Sequence, residues 1–290
     1  MKKLIYITSV FITFLLGSFL LHSCLSDDED TLVLPELFVD INDPYDLQKA
    51  LWFKDANQKN GDLPASTAGN RGLSSAINSI LVNSGATVSL PLIYSNPYGI
   101  EEVYIQVTGA DGRYYAVSPS FVPGTENTYG YISIVIPKNI NDGTFYVEYK
   151  IKDSAGNISN EVKTIIQVTN EVVSCQNASA SGSSGLTFTT VLLGDESGSV
   201  SISYNTYTVK DRIDIYQGEQ WITGTGSNPN SPIPPMCDCN RALDGFVGKS
   251  GYLKFDFDSK KGKFITVVVS GCLNGGTAWD WRLDEAPNCK

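Results

Sequence analysis

Two tandem antiparallel β-sandwiches, an all-β protein, are predicted from three observations. Apolar and polar residues alternate in short runs from Val88 onward. Gly, Pro, Asn and Asp cluster between those runs, and no segment sustains a helical period. The 26 glycines and 13 prolines supply the turns. At roughly 100 to 200 residues per domain, 290 residues divide into about two domains.

The first element is an address. Lys2 and Lys3 precede an apolar stretch from Leu4 to Leu21 interrupted only by Thr, Ser, Gly and Tyr, which is the layout of a secretory signal over residues 1–23. An uncleaved membrane helix is the alternative, since the run sits near the spanning minimum of about 18 residues. Leu21-His22-Ser23-Cys24 resembles the lipobox of bacterial lipoproteins, with His22 departing from the usual small residue. The resemblance implies cleavage before Cys24, a diacylglycerol thioether on its sulfur, and anchoring in the outer membrane. Each buried CH₂ contributes about 0.8 kcal/mol, so several acyl chains anchor where one binds reversibly. Ser26, Asp27, Asp28, Glu29 and Asp30 resemble the export signal of Bacteroidota lipoproteins, which implies display on the cell exterior. As a bare charge run the same residues would be a solvated linker.

Charge and histidine content prune the chemistry. The chain has 21 basic and 31 acidic residues, a formal charge of −10, and the cleaved segment holds two of the lysines. Such a surface repels phosphates, so nucleic acid is not an expected partner. The one histidine, His22, also lies in the cleaved segment. A mature chain without histidine has no Ser-His-Asp triad, no Cys-His dyad and no His-ligated zinc. A hydrolase would need paired carboxylates such as Asp195/Glu196 or Asp256/Asp258, and nothing in the sequence puts either pair in a cleft. The expectation is a protein that is not an enzyme and has no cofactor.

Residues 24–54, with Pro35, Pro44 and many acids, suit an acylated cysteine and acidic tether, with room for a helical turn around Asp46 to Trp52. Residues 55–170 form the first sandwich. Its segment 56–79 reads as a loop and weak strand. Val88, Leu90 and Leu92 then alternate around Pro91, which argues for an edge strand. Val103, Ile105 and Val107, then Ile132, Ile134 and Ile136, then Phe145, Val147, Tyr149 and Ile151, then Val162, Thr164, Ile166 and Val168 give one apolar face per strand. "YKIKDSAGNISN", with Asp153 and Gly156-Asn157, resembles the turn before the last strand of bacterial Ig-like and fibronectin-III-like domains, which act mostly as spacers. Asp153-Ser154-Ala155 and Asp30-Thr31-Leu32 resemble the Bacteroidota O-glycosylation motif, making Ser154 and Thr31 acceptor candidates.

A polar linker at 171–184 leads to the second sandwich, 185–290. Strands are expected at 186–191, 199–204, 212–216, 252–257, 264–270 and 277–283, a jelly-roll-like module able to bury its own core. "SYNTYTVKDRIDIY", "KFITVVVSG" and "GGTAWDWRLD" resemble C-terminal β-sandwich repeats of secreted bacterial proteins. "DRIDIYQG" is also similar to CUB domains. That likeness implies calcium at Asp211 and Asp214, although the cysteine spacing differs and two acids fall short of the six to eight oxygens calcium takes.

Five of the six cysteines fall after Asn170: Cys175, Cys237, Cys239, Cys272 and Cys289. In an exported chain they are read first as disulfides. Cys175 and Cys289 bracket the domain. Cys272 could reach Cys237 or Cys239, or those two could bridge each other and leave Cys272 free, and a Cys₄ zinc site is the rival. Trp279 and Trp281 share a strand face and suit a core. Trp221, just after Tyr216 and before a long Gly- and Pro-rich loop, is the candidate exposed platform for a ligand. Tether, Ig-like spacer and recognition module is the layout of Bacteroidota surface glycan-binding proteins. That implies capture of an extracellular glycan, with adhesion to another surface protein as the alternative.

Overall fold

Asp43 starts the first element. Its carboxylate accepts from the Tyr45 and Asp46 amides at 2.9 and 3.2 Å, and Pro44 follows, so the chain enters helix α1 (Pro44–Ala50). The structure, a computed structural model, describes residues 38–67, 72–75, 79–121, 129–229, 244–272 and 276–289. Cys24, residues 26–30, Thr31, Cys237 and Cys239 lie outside them.

Residues 38–54 are not tether. Val39, Ile41, Leu47, Leu51 and Phe53 are buried in the first core, while Asp40 and Asp43 accept local backbone amides instead of merely solvating a linker. The strands that follow are β1 (Trp52–Phe53), β2 (Ala56–Asn60), β3 (Leu73–Ser75), β4 (Ser79–Asn83), β5 (Thr87–Tyr94), β6 (Ile100–Val107), β7 (Arg113–Val117), β8 (Ser120–Phe121), β9 (Tyr129–Val135), β10 (Gly143–Asp153) and β11 (Val162–Thr169). One sheet runs β1-β9-β5-β3, with β8 beside β9. It packs on the run β4-β11-β10-β6-β7-β2. β5 has neighbours on both sides, yet β3 pairs only with Leu92, Ile93 and Tyr94. Among the described residues Pro91 therefore sits where β5 has one partner, β9, so the edge that proline favours is met locally even though β5 as a whole has two neighbours.

The second sandwich contains β12 (Val172–Ser174), β13 (Ser179–Gly182), β14 (Gly185–Leu192), β15 (Gly198–Asn205), β16 (Arg212–Gln217), β17 (Gln220–Gly224), β18 (Ser250–Phe257), β19 (Phe264–Gly271) and β20 (Trp279–Glu285). β13-β20-β15-β18 face β14-β19-β16-β17, and apart from the β16–β17 hairpin successive strands alternate between the two sheets as in a jelly roll. Residues 171–184 are not a free linker, since β12 pairs with β14 and β13 with β20. Cys175, between those strands, is disulfide-bonded to Cys289, which ties the module's two ends together.

The sandwiches share a sheet. β14 lies alongside β4, parallel, with Thr187 opposite Leu81, which makes the larger sheet continuous. Leu186, Phe188 and Val268 turn toward the first core, and Val191, Val267 and Val269 turn toward the second. Alternation along β14 and β19 thus serves two cores at once.

Candidate functional site

The four-stranded sheet β13-β20-β15-β18 has two unlike faces. Ala180, Val200, Ile202, Tyr204, Leu253, Phe257, Trp279, Trp281 and Leu283 point inward and fill the second core. The alternate positions point outward, and register lines them up across the strands. Ser181 lies opposite Asp280, Asp280 opposite Asn205, and Asn205 opposite Ser250. The neighbouring row is Ser179, Arg282, Ser203 and Tyr252. A groove of about 570 Å³ lies over these rows, lined by Ser179, Ser181, Ser203, Asn205, Asp280 and Arg282, with Ala180, Tyr204 and Trp281 completing it.

Hydrogen bonds set the groove's side chains. Arg282 donates through Nε to Asp284 Oδ1 at 3.0 Å, with Nη2 in ion-pair contact with that oxygen at 2.9 Å, and Ser203 donates to the same oxygen at 3.0 Å. Ser250 donates to Asn205 Oδ1 at 3.1 Å. Tyr207 borders the groove. Its φ of 50° is left-handed, unusual for a bulky residue. Two bonds hold it there: its amide donates to Asn205 Oδ1 at 3.0 Å and its hydroxyl to Asp280 Oδ2 at 2.7 Å. The Asp280 hydrogen bond and charge push the Tyr207 hydroxyl's pKa up, so the proton stays on tyrosine. Tyr252 is 70% exposed and Tyr207 50%.

Beneath the groove, the Trp279 indole donates to the Ser183 carbonyl at 2.7 Å, whereas the buried Trp281 indole nitrogen has no hydrogen-bond partner among the described residues. Gly182 sits against Trp279, whose ring would lie 2.3 Å from an added Cβ. Both tryptophans are core, as their shared face implied.

Trp221 is placed differently from its expected exposed loop. β17 carries it, directly opposite Tyr216 in the β16–β17 hairpin. It is half-buried, and its indole N–H donates to Asp214 Oδ1 at 2.9 Å. Tyr216 does not offer its hydroxyl to solvent. β16 is flanked by β17 and β19, the ring packs against the first core, and the buried hydroxyl has no hydrogen-bond partner among the described residues. Burial pushes that hydroxyl's pKa up.

Asp211 and Asp214 do not converge as an open calcium site. Arg212, fully buried, grips Asp214 through Nε at 2.7 Å and Nη2 at 2.9 Å. It also donates to the carbonyls of Asp244 and Ser227, closing the neck of the loop after β17. Gly226 and Gly245 face each other beside the guanidinium, with no room for a Cβ on either. Asp211 turns elsewhere. It accepts the Cys272 amide at 2.8 Å and the Thr277 hydroxyl at 2.7 Å, and burial pushes its carboxyl up to about 6 against those hydrogen bonds. Among the described residues no group of three or more His, Cys, Asp or Glu gathers as for a metal.

The remaining candidates take structural places. Cys272 is disulfide-bonded, with its partner outside the described residues, so it is not the free thiol. Ser154 stands exposed at the β10 turn and donates to the Tyr98 carbonyl. The Asp153 beside it is fully buried and accepts the Ala155 and Asn157 amides and the Tyr94 hydroxyl. Burial alone would raise that carboxyl, but the bonds from Asn157, Tyr94 and Ala155 outweigh it and hold it low. Asp195 pairs with Lys263 at 2.7 Å, and Asp258 caps the 3₁₀ turn Ser259–Lys261, so neither carboxylate pair forms a cleft. No helix among the described residues is long and apolar enough to cross a membrane.

No protein-family model matches the sequence, and no curated protein matches it. Solved structures that it is similar to include the SrpA adhesin of Streptococcus sanguinis, at 12% identity and a TM-score of 0.26, over 34% of this chain and 57% of the adhesin's. The chain thus spans little more than half of that adhesin's length. Fibronectin(III)-like modules of CbhA from Clostridium thermocellum align at 9% identity and a TM-score of 0.25, covering 69% of this chain and 88% of theirs. A titin domain aligns at 14% identity and a TM-score of 0.21, over 41% and 97%. Likenesses this remote carry no functional argument, and the fold stands on the strand order described above.

Proposed function

We propose that the protein is a lipid-anchored cell-surface binding protein that captures glycan through its C-terminal sandwich, with the Ig-like sandwich as spacer. The observation that carries this reading is the outward groove. It concentrates hydroxyl, amide, carboxylate and guanidinium groups between exposed Tyr207 and Tyr252 rings, the chemistry that meets both the hydroxyls and the C–H faces of a sugar. The lipobox at Cys24 and the acids at 26–30 support the anchored, outward-facing half of the proposal. The test is a glycan array probed with the mature chain. Binding to a polysaccharide that Asp280→Ala and Arg282→Ala weaken, with the melting temperature unchanged, supports it. Wild-type protein that captures no glycan but adheres to a surface protein replaces it with the adhesive reading.

A further inference from the structure

We infer that the groove takes a linear, uncharged glycan lying across the strands, with Tyr252 as the stacking platform at one end. This rests on the glycan-capture reading and deepens it.

Direction follows from what bounds the groove. Along the strands it is closed at one end by Tyr207, which its two hydrogen bonds hold beside Asn205 and Asp280. At the other end Asp284 is occupied by Arg282 and Ser203. There the register between β15 and β20 also shifts between Ser201 and Ile202, so the aligned rows stop. Between those ends lie two rows, Ser181–Asp280–Asn205–Ser250 and Ser179–Arg282–Ser203–Tyr252. Two outward positions on one strand stand about 7 Å apart, the width of a single sugar ring. Across the strands no described strand closes the groove, because β13 and β18 are the sheet's edges among the described residues. Three inter-strand steps of ~4.8 Å span about 14 Å, room for roughly three pyranose rings.

Charge selects the class. An incoming carboxylate is best held by a two-pronged guanidinium, but the charge of Arg282 is already engaged by Asp284, to which Nε donates and beside which Nη2 lies at 2.9 Å. Asp280 adds a negative charge to the groove, and the whole chain carries −10. An uncharged chain keeps its hydroxyls for Asp280, Asn205 and the serines and meets no repulsion. Tyr252 lies opposite Ser203 on the edge strand, where its exposed ring can cover the C–H face of the last sugar.

Calorimetric titration of the mature chain with cello-, laminari-, malto-, xylo- and manno-oligosaccharides, from monomer to hexamer, tests this. For the series that binds, affinity should climb to the trisaccharide and then level. Tyr252→Ala should weaken the trisaccharide about tenfold while leaving the disaccharide unchanged, since it removes one stacked ring. Arg282→Ala should weaken every length. Thermal melts of both variants should match wild type, because both side chains are exposed. Binding that ignores chain length and Tyr252, but is lost in Trp221→Ala, overturns the inference and leaves glycan capture standing. Selective binding of polygalacturonate overturns the uncharged class. No binding of any of these sugars, charged or neutral, overturns both readings.

Discussion

Replacing Arg212 with methionine tests the densest polar cluster of the second sandwich. Its guanidinium makes two bonds to the fully buried Asp214 and two to backbone carbonyls that close the loop after β17. Methionine retains much of the side-chain volume but removes all four, leaving the Asp214 carboxylate with the Trp221 N–H. Breaking one side of a buried pair costs about 3 to 5 kcal/mol, because the remaining charge stays desolvated. Removing both charges should cost far less. Arg212→Met/Asp214→Leu shares with the single variant the two freed carbonyls, and beyond that leaves the Trp221 N–H without its acceptor, a further loss of about 1 to 3 kcal/mol. The assay is urea unfolding of the mature chain followed by tryptophan fluorescence, with an unchanged slope required before midpoints are compared. The double variant should be more stable than the Arg212 single, a coupling that independent sites cannot produce. A single-variant loss under about 1 kcal/mol, or strictly additive losses, would refute the account of Arg212 as a desolvated clamp.

Cys175→Ser/Cys289→Ser opens a bridge between residues 114 apart, which is worth at most about 4 to 5 kcal/mol in the chain-entropy model. Calorimetry should show the melting temperature falling by about 10 °C, and a fall under about 2 °C would mean the closed ends contribute little. Asp211 has a folded pKa of about 6, raised by burial above the unfolded 3.8. Its destabilisation is therefore fully present above pH 6, declines as pH falls through 6, and vanishes below the unfolded value. Asp211→Asn should be more stable than wild type at pH 8 by at most about 3 kcal/mol, with the gap closing by pH 4. A gap independent of pH in melts across that range would assign the effect to another group. Cys24→Ala should abolish labelling by a palmitate analogue and release the protein from membranes, and persistent labelling would rule out the lipid anchor.

What the sequence made legible depends on how local each signal is. The strands from Gly185 to Leu192 and from Phe264 to Gly271 were readable because alternation is a property of one segment. Helix α1 showed only as room for a helical turn around Asp46 to Trp52, offset from its true span, because it is seven residues long and buries chiefly Leu47 and Gln48, too few to show a period. Asp43-Pro44, a cap followed by proline, marks where it starts. β17 hid for a similar reason. Its five residues run from Gln220 to Gly224 between glycines, so Trp221 read as a loop tryptophan, although pairing with β16 half-buries it. The groove was illegible for a different reason. Ser179, Ser203, Tyr252 and Arg282 are each ordinary solvent-face residues in their own strands, and only the register of four strands makes them a row.

That dependence on register ties the groove to the core beneath it. Ser179 and Ser181 reach the rows from β13, a four-residue edge strand with β20 alone as its sheet neighbour among the described residues. Four cross-strand pairs give little pairing energy to such an edge. Its position is held from below, where Gly182 lets the Trp279 ring lie against the strand and the Trp279 indole takes the Ser183 carbonyl. Any side chain at Gly182 would meet that ring, so the strand would have to rise off the core, carrying its two serines out of line. Just upstream, the Cys175–Cys289 bridge fixes where the chain enters β13. The sequence supplies each of these as an unremarkable residue of a Ser- and Gly-rich stretch, and the sandwich turns them into the supports that keep a polar row straight across four strands.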